Sequence, residues 1–368
     1  MTDRPRGMRE PTSQAAFLEG KRVLITGATG SLGKVLLRRI LSGEAGTVAH
    51  LVALSRDEAK QHEIRVSYQK QRSATDEVIY RNFAERLTFR IGDVRDYASV
   101  CAALQGIDIV FNAAALKQVP TCEYFPFEAV QTNVVGPENI VRAIRDLRLP
   151  VETVVGISTD KAVKPVNVMG MTKALQERIF TRANLEVANT RFVIVRYGNV
   201  LASRGSVIPL FHEQIKMGGP VTITDPAMTR FLLSLDDAVD LIFTALRSAR
   251  RGETYIPRAP GARVVDISRA LIGERRIETV TTGIRPGEKL HEILISEEEA
   301  HRTSRRGAFY VIGALLPEIH RGEPGEKGIE AEYSSADDLL SPEGVLDLLR
   351  RRHLMVGDDP GLEGELLR

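Results

Sequence analysis

The sequence predicts an α/β protein built on a doubly wound parallel sheet, with a smaller C-terminal domain, on three observations. First, residues 21–33 read as a short apolar strand, a glycine turn and a helix start, since Val23-Leu24-Ile25 is followed by Leu36-Leu37 and Ile40-Leu41 at helical spacing. Second, short apolar strands recur at 50–54, 87–91, 107–112, 151–157 and 192–196, with helical patterns between them. Strands that alternate with helices pair in parallel, because each crossover brings the chain back to the same end of the sheet. Third, the alternation loosens after about residue 200, where Lys216-Met217-Gly218-Gly219-Pro220 and Arg285-Pro286-Gly287 signal turns. The chain therefore divides into a flexible tail over 1–19, a sheet domain over 20–200, a smaller domain with returning segments over 201–320, and a linker with a terminal helix and tail over 321–368. Within the last part, residues 322–328 are a charged Gly/Pro stretch and 339–349 the helix.

A chain of 368 residues is long enough to bury a substantial core. Fifty basic residues nearly cancel 48 acidic ones, leaving a formal charge of +2. No global field then argues for nucleic acid or a membrane surface, and a small molecule is the expected partner. Cys101 and Cys122 stand apart without Cys-x-x-Cys spacing, which argues for reduced thiols, against a disulfide framework or a metal site, and for the cytoplasm. Arg4, Arg6 and Arg9 precede no apolar signal region, and no run approaches the roughly 18 apolar residues of a membrane span.

The turn Thr26-Gly27-Ala28-Thr29-Gly30-Ser31-Leu32-Gly33 places glycines at a three-residue period between strand and helix. Gly27 permits the tight turn, Gly30 lets a pyrophosphate approach the backbone, and Gly33 lets the helix pack on the sheet. Thr29, Ser31 and Leu32 complete the loop at the helix N-terminus, which faces the phosphates. Residues 20–200 thus read as a Rossmann-type dinucleotide-binding domain. After the second strand, Ser55-Arg56-Asp57 offers a hydroxyl and a guanidinium to a ribose 2′-phosphate, where an acidic residue would repel it. NADP is favoured, and Asp57 keeps NAD open. In Gly92-Asp93-Val94, Asp93 is placed to hold the adenine, and Ala113-Ala114-Ala115 supply small residues where a nicotinamide half approaches the backbone.

Ser158-Thr159-Asp160-Lys161-Ala162 sets an acid and a base side by side just after an apolar strand. In Val168-Met169-Gly170-Met171-Thr172-Lys173, the lysine stands at the spacing of a Tyr-x-x-x-Lys dehydrogenase pair, but Met169 occupies the tyrosine's place. The combination points to an internal redox step on a nicotinamide coupled to an elimination.

With these motifs on the page, the chain resembles the extended short-chain dehydrogenase/reductase superfamily, and within it the UDP-N-acetylglucosamine 4,6-dehydratases of flagellin-glycan and capsule pathways. The likeness runs from about residue 20 to 349 and adds Ala113-Ala114-Ala115-Leu116-Lys117, Arg196-Tyr197-Gly198-Asn199-Val200, Ser203-Arg204-Gly205-Ser206-Val207, Met228-Thr229-Arg230-Phe231 and Arg285-Pro286-Gly287-Glu288-Lys289-Leu290-His291-Glu292. The resemblance implies that Val94, Lys117 and Lys173 contact the cofactor, and that Asn199, Ser206, Val207 and Arg230 line a nucleotide-sugar cleft. It further implies that Arg285 pairs with the diphosphate, that Glu288 accepts from the uridine ribose, and that the protein is a homo-oligomer, a dimer or a hexamer. Independently of any family, a diphosphate needs planar cationic forks and a ribose diol needs an acceptor.

Removing water from C6 of a hexose requires an acidified H5, which oxidation of C4 to a ketone supplies. Asp160 is then the expected acid for the C6 hydroxyl and Lys161 the expected base for H5, the latter as a neutral amine. Lys173 lies one helical turn beyond Met169 on the same face. A thioether cannot take the C4 hydroxyl proton, so Thr159, a water or Lys161 must relay it. Two other readings stand beside this one: a UDP-sugar 4-epimerase, which has no elimination to catalyse, and a non-catalytic NADP-binding sensor, suggested by the missing tyrosine.

Overall fold

The computed structural model describes residues 16–69, 74–201, 206–319 and 328–358. Residues 1–15 of the expected tail, 202–205 with the first three residues of the Ser203-to-Val207 motif, 320–327 with the start of the expected linker, and 359–368 lie outside the described residues. Six parallel strands form the centre of the sheet: β1 (Arg22–Thr26), β2 (His50–Ser55), β3 (Leu87–Ile91), β4 (Ile109–Asn112), β5 (Thr153–Thr159) and β6 (Arg191–Tyr197), in the order 3-2-1-4-5-6. Register is fixed on both sides of β1, with Val23 opposite Leu51 on one flank and Ile109 on the other. The strand order reverses between β1 and β4, which opens a crevice at the carboxyl ends of these strands.

Side chains alternate across the strands, so each apolar run feeds two layers. Val23, Ile25, Val193 and Val195 pack on one face, while Leu24, Val110, Val154 and Ile194 pack on the other. Each such side chain, fully buried, stabilises the fold by about 1.5–3 kcal/mol. On the first face lies the helix Leu235–Ser248, started by a capping box between Ser234 and Asp237.

Beyond residue 200 the chain does return to the sheet. Thr254–Pro257 adds parallel to β6, and Phe309–Ile312 and Thr303–Arg306 extend that edge antiparallel. A separate apolar core gathers Ile208 and Phe211 of the helix Val207–Lys216, Ile267 and Leu271 of Val264–Ile272, and Val345 and Leu349 of Pro342–Arg351. The terminal helix is therefore part of the smaller lobe. It begins at Pro342, later than its apolar pattern suggests, because the Ser341 hydroxyl accepts from Gly344 N and proline fits the first helical position. Among the described residues no helix is long and apolar enough to cross a membrane.

Candidate active site

The crevice at the strand ends is a cleft of about 730 Å³, bounded by the glycine turn, the ends of β2 to β6, and the segment 285–292 of the smaller lobe. Gly27 adopts φ +69°, and a Cβ there would lie 2.7 Å from Ala114 Cα. A Cβ on Gly33 would meet Ala28 O at 2.6 Å, so helix and turn approach too closely for any side chain. Gly30 caps the helix Ser31–Leu41 without a side-chain bond, which leaves that helix's first N–H groups open toward the cleft. Thr29, Ser31 and Leu32 line the same wall. A side-chain-free turn under an open helix N-terminus fits a dinucleotide pyrophosphate.

The end of β2 differs in one respect from the sequence expectation. Ser55 is buried, its Oγ 2.7 Å from Thr29 Oγ1, so the hydroxyl braces the glycine turn instead of standing open beside Arg56. Arg56 is half-exposed, with Nη1 3.6 Å from Asp93 Oδ2. Lys60 bonds Asp57 and holds that carboxyl below its ordinary range. Burial raises the Asp93 carboxyl, but the bonds from Arg95 outweigh it and keep it low. Val94, Ala113, Ala114, Ala115 and Lys117 continue the wall. The loop after β4 is clamped by Asn133, whose side chain bonds both Leu116 N and Leu116 O, at 2.8 and 2.9 Å, and reaches Thr172 Oγ1 at 3.0 Å. Asn133 sits in a wide helical turn, Gln131–Val135, whose Thr132 presents a buried, unpartnered hydroxyl to the cleft. The motifs read from the sequence include neither residue.

At the end of β5 the chain turns through Asp160–Ala162, and this turn brings both Asp160 and Lys161 to the cleft. Asp160 is fully buried; Oδ1 accepts from Thr159 Oγ1 at 2.8 Å and from Lys161 Nζ at 3.1 Å, while Oδ2 has no partner. Burial pushes this carboxyl up, with Lys161 opposing. Lys161 Nζ also lies 2.9 Å from Glu292 Oε1 and donates to Asn199 Oδ1 at 3.3 Å. Burial alone would lower the Lys161 amine, yet the Asp160 and Glu292 carboxylates outweigh it and hold the amine above the ordinary lysine value. The base expected at Lys161 is a neutral amine, whereas the two neighbouring carboxyl groups favour the charged form. Glu292, which the sequence reading quoted within a motif but assigned no role, is its nearest acidic partner.

Lys173 is the opposite case. Its Nζ donates to Ile157 O at 2.5 Å and to Gln176 Oε1 at 2.6 Å, and burial pulls the amine down to about 7. Met169 lies one turn before it, packed with Cys122 and Ala129, and lines the cleft beside Lys173.

Asn199, just after β6, lines the cleft, as do Ser206, Arg230, Arg285 and Glu288 from the smaller lobe. Arg230 is aimed by backbone carbonyls, with Nη1 bonding Thr229 O at 2.7 Å and Leu290 O at 3.2 Å. Arg285 is exposed, and Glu288 Oε2 is a buried oxygen without a partner. Val207 is the exception: it opens the helix Val207–Lys216, packs against the smaller lobe's core and is not part of the cleft lining. Among the described residues no cluster of three or more His, Cys, Asp or Glu is placed to hold a metal ion.

A family model described as "Polysaccharide biosynthesis protein" matches residues 23–314. A UDP-glucose 4-epimerase of Rickettsia canadensis is 43% identical over 79% of this chain and 82% of its own length. A Methanocaldococcus jannaschii protein described as an uncharacterized membrane protein is 40% identical over 91% of this chain and 96% of its own. The X-ray structure of Pen from Bacillus thuringiensis superposes with a TM-score of 0.82 at 33% identity, over 92% of this chain and 100% of that one. DesIV, a dTDP-glucose 4,6-dehydratase from Streptomyces venezuelae solved with NAD and TYD bound, is alike in fold, with TM-score 0.62 and 21% identity over 73% of this chain and 86% of that one.

Proposed function

Since the chain belongs to the polysaccharide biosynthesis protein family, we propose that it is a UDP-N-acetylglucosamine 4,6-dehydratase that yields a 4-keto-6-deoxy sugar nucleotide. The observation that carries this reading is the buried Asp160 carboxyl with its free oxygen beside Lys161 at the end of β5. Departure of a C6 hydroxyl requires an acid, and burial favours the neutral form of this carboxyl.

A nicotinamide dinucleotide, when bound, supplies a hydride acceptor for C4 and a hydride donor for C6. The glycine turn holds its pyrophosphate, and Arg56 favours a 2′-phosphate and hence NADP, with NAD as the alternative. Lys173, neutral above about pH 7, takes the C4 hydroxyl proton that the missing tyrosine would otherwise take. Lys161 receives H5, and Asp160 protonates the departing C6 oxygen. Lys161 gives a proton back to C5, and the proton from the C4 hydroxyl replaces the one Asp160 gave up, so the protein ends each cycle as it began. Arg230 and Arg285 hold the diphosphate, and the open oxygen of Glu288 accepts from a ribose hydroxyl.

A second reading, a UDP-sugar 4-epimerase, is favoured by the names of relatives such as the Rickettsia canadensis protein. Incubation with UDP-N-acetylglucosamine and no added reductant separates the two by product mass and proton NMR. Loss of one water supports the dehydratase, an epimer of unchanged mass supports the second reading, and no turnover of any UDP-hexose overturns both.

A further inference from the structure

Glu292 lies at the back of the cleft, 2% exposed, with Oε1 2.9 Å from Lys161 Nζ. Arg230 Nε stands 3.9 Å from the same oxygen, and Oε2 is buried without a partner. Its backbone is held from the far end of the chain: Glu292 N donates to Ser335 Oγ at 3.0 Å, and Ser335 N donates to Glu292 O at 2.8 Å. Ser335 is itself fully buried and its hydroxyl lies 2.6 Å from Thr229 Oγ1. A carboxylate fixed this firmly against an ammonium is placed to exchange a proton with it. Burial favours such an exchange, because the uncharged pair loses less hydration than the charged one.

We propose that Glu292 is the positioning residue that lets a protonated Lys161 act as the base, by accepting a proton from Lys161 as Lys161 accepts H5. The inference rests on the dehydratase reading. The C5–H bond breaks, its electron pair becomes the C5–C6 double bond, and the proton forms a new N–H bond on Nζ. In the same event one of the original N–H bonds of Lys161 breaks and its proton passes to Oε1 of Glu292. The C6–O bond breaks with its electrons on oxygen, which takes the Asp160 proton and leaves as water. When C5 is reprotonated by Lys161, Glu292 returns its proton to the amine. The pair gains one proton when H5 is taken and gives it up when C5 is reprotonated, so no free amine has to form in solution equilibrium. Groups that face the pair are Asp160 and Asn199 on the Lys161 side, and Arg230 and Lys289 on the Glu292 side.

The test uses the full-length protein with bound dinucleotide and UDP-N-acetylglucosamine in deuterated water, comparing Glu292→Gln and Glu292→Asp with the unmodified chain across pH. Glutamine keeps the shape but cannot take a proton, so elimination must wait for a neutral Lys161. The expected result is that Glu292→Gln still reduces nicotinamide when the sugar nucleotide is added, but forms product and exchanges C5 deuterium about 100-fold more slowly on the acid side. That deficit shrinks as pH rises, and Glu292→Asp restores the acid side of the profile. An unmoved pH profile in Glu292→Gln, or one rate reduction shared by both variants at every pH, overturns the inference while leaving the dehydratase reading intact. An epimer without loss of water from the unmodified protein overturns that reading and the inference together.

Discussion

The Glu177 carboxylate bonds Arg196 through both its oxygens, at 2.6 and 3.0 Å, although Lys173 lies one turn before it on the same helix. Lys173 is left with a carbonyl and an amide oxygen as its partners, which do not compensate a buried positive charge as a carboxylate would. Its amine is therefore neutral above about pH 7. Reduction of bound nicotinamide in the first turnover should rise with pH through about 7 and then level off. In Lys173→Met the rise should vanish and the rate fall by about 100-fold or more, as stopped-flow absorbance would register.

The same shift has a stability counterpart. Between about pH 10.5 and 7 the unfolded chain binds a proton at Lys173 that the folded chain does not, so the residue costs more stability as pH falls through that window and a constant amount below it. Urea titrations should show Lys173→Met gaining on the unmodified protein from pH 10 to 7, by on the order of 2–5 kcal/mol.

Arg196 also bonds Glu299, at 2.8 and 3.0 Å, and thereby ties β6 to both the Lys173 helix and the segment before Thr303. Arg196→Ala would bury two carboxylates without their cation and should cost about 3–5 kcal/mol in chemical denaturation. Burial raises the Glu299 carboxyl, but Arg196 outweighs it and holds the group at about 2. Its stabilising contribution is complete above the ordinary value of 4.5 and is lost as pH falls through about 2. Roughly 3 kcal/mol should disappear over that acid range.

Two glycines of the same turn should behave differently. Gly33→Ala forces backbone apart at a 2.6 Å contact and should destabilise the protein by about 1–3 kcal/mol even without ligand. Gly30→Ala meets only Gly27 O at 3.3 Å, so its thermal unfolding should shift little while calorimetry shows weakened NADP binding.

Arg56→Ala should reduce the preference for NADP over NAD by about tenfold or more, the worth of one charge-assisted contact. Equal affinities for the two dinucleotides in the unmodified protein would remove the basis for NADP. The 3.6 Å approach to Asp93 is loose enough for the guanidinium to turn to a phosphate.

The sheet is legible in the sequence because Val23 to Ile25, Ile109 to Phe111 and Val193 to Val195 are buried on both faces and so read as unbroken apolar runs. The dinucleotide turn is legible for a steric reason, since only glycine fits at residues 27 and 33. Glu292 is not, because nothing local separates it from an ordinary surface acid. Only the pairing of Ile293–Ile295 with Tyr333–Ser334 turns it inward toward Lys161. The charge on Lys161 is hidden for the same reason, as it is set by a partner brought in by tertiary structure. The Ser55 hydroxyl looks available beside Arg56 until Thr29 is found against it. Thr132 is concealed by a helical irregularity that carries no composition signal.

Every strand of the large sheet is complete by Ile312, yet the clamp on Glu292 comes from Ser335. Gly261 enforces that clamp, since a Cβ there would lie 2.0 Å from Ser335 O and push the segment away. During synthesis, then, the dinucleotide turn and its sheet can form on a growing chain while the Lys161–Glu292 pair still lacks its anchor. A chain broken off before residue 335 would lack the bonds from Ser335 that hold Glu292 against Lys161.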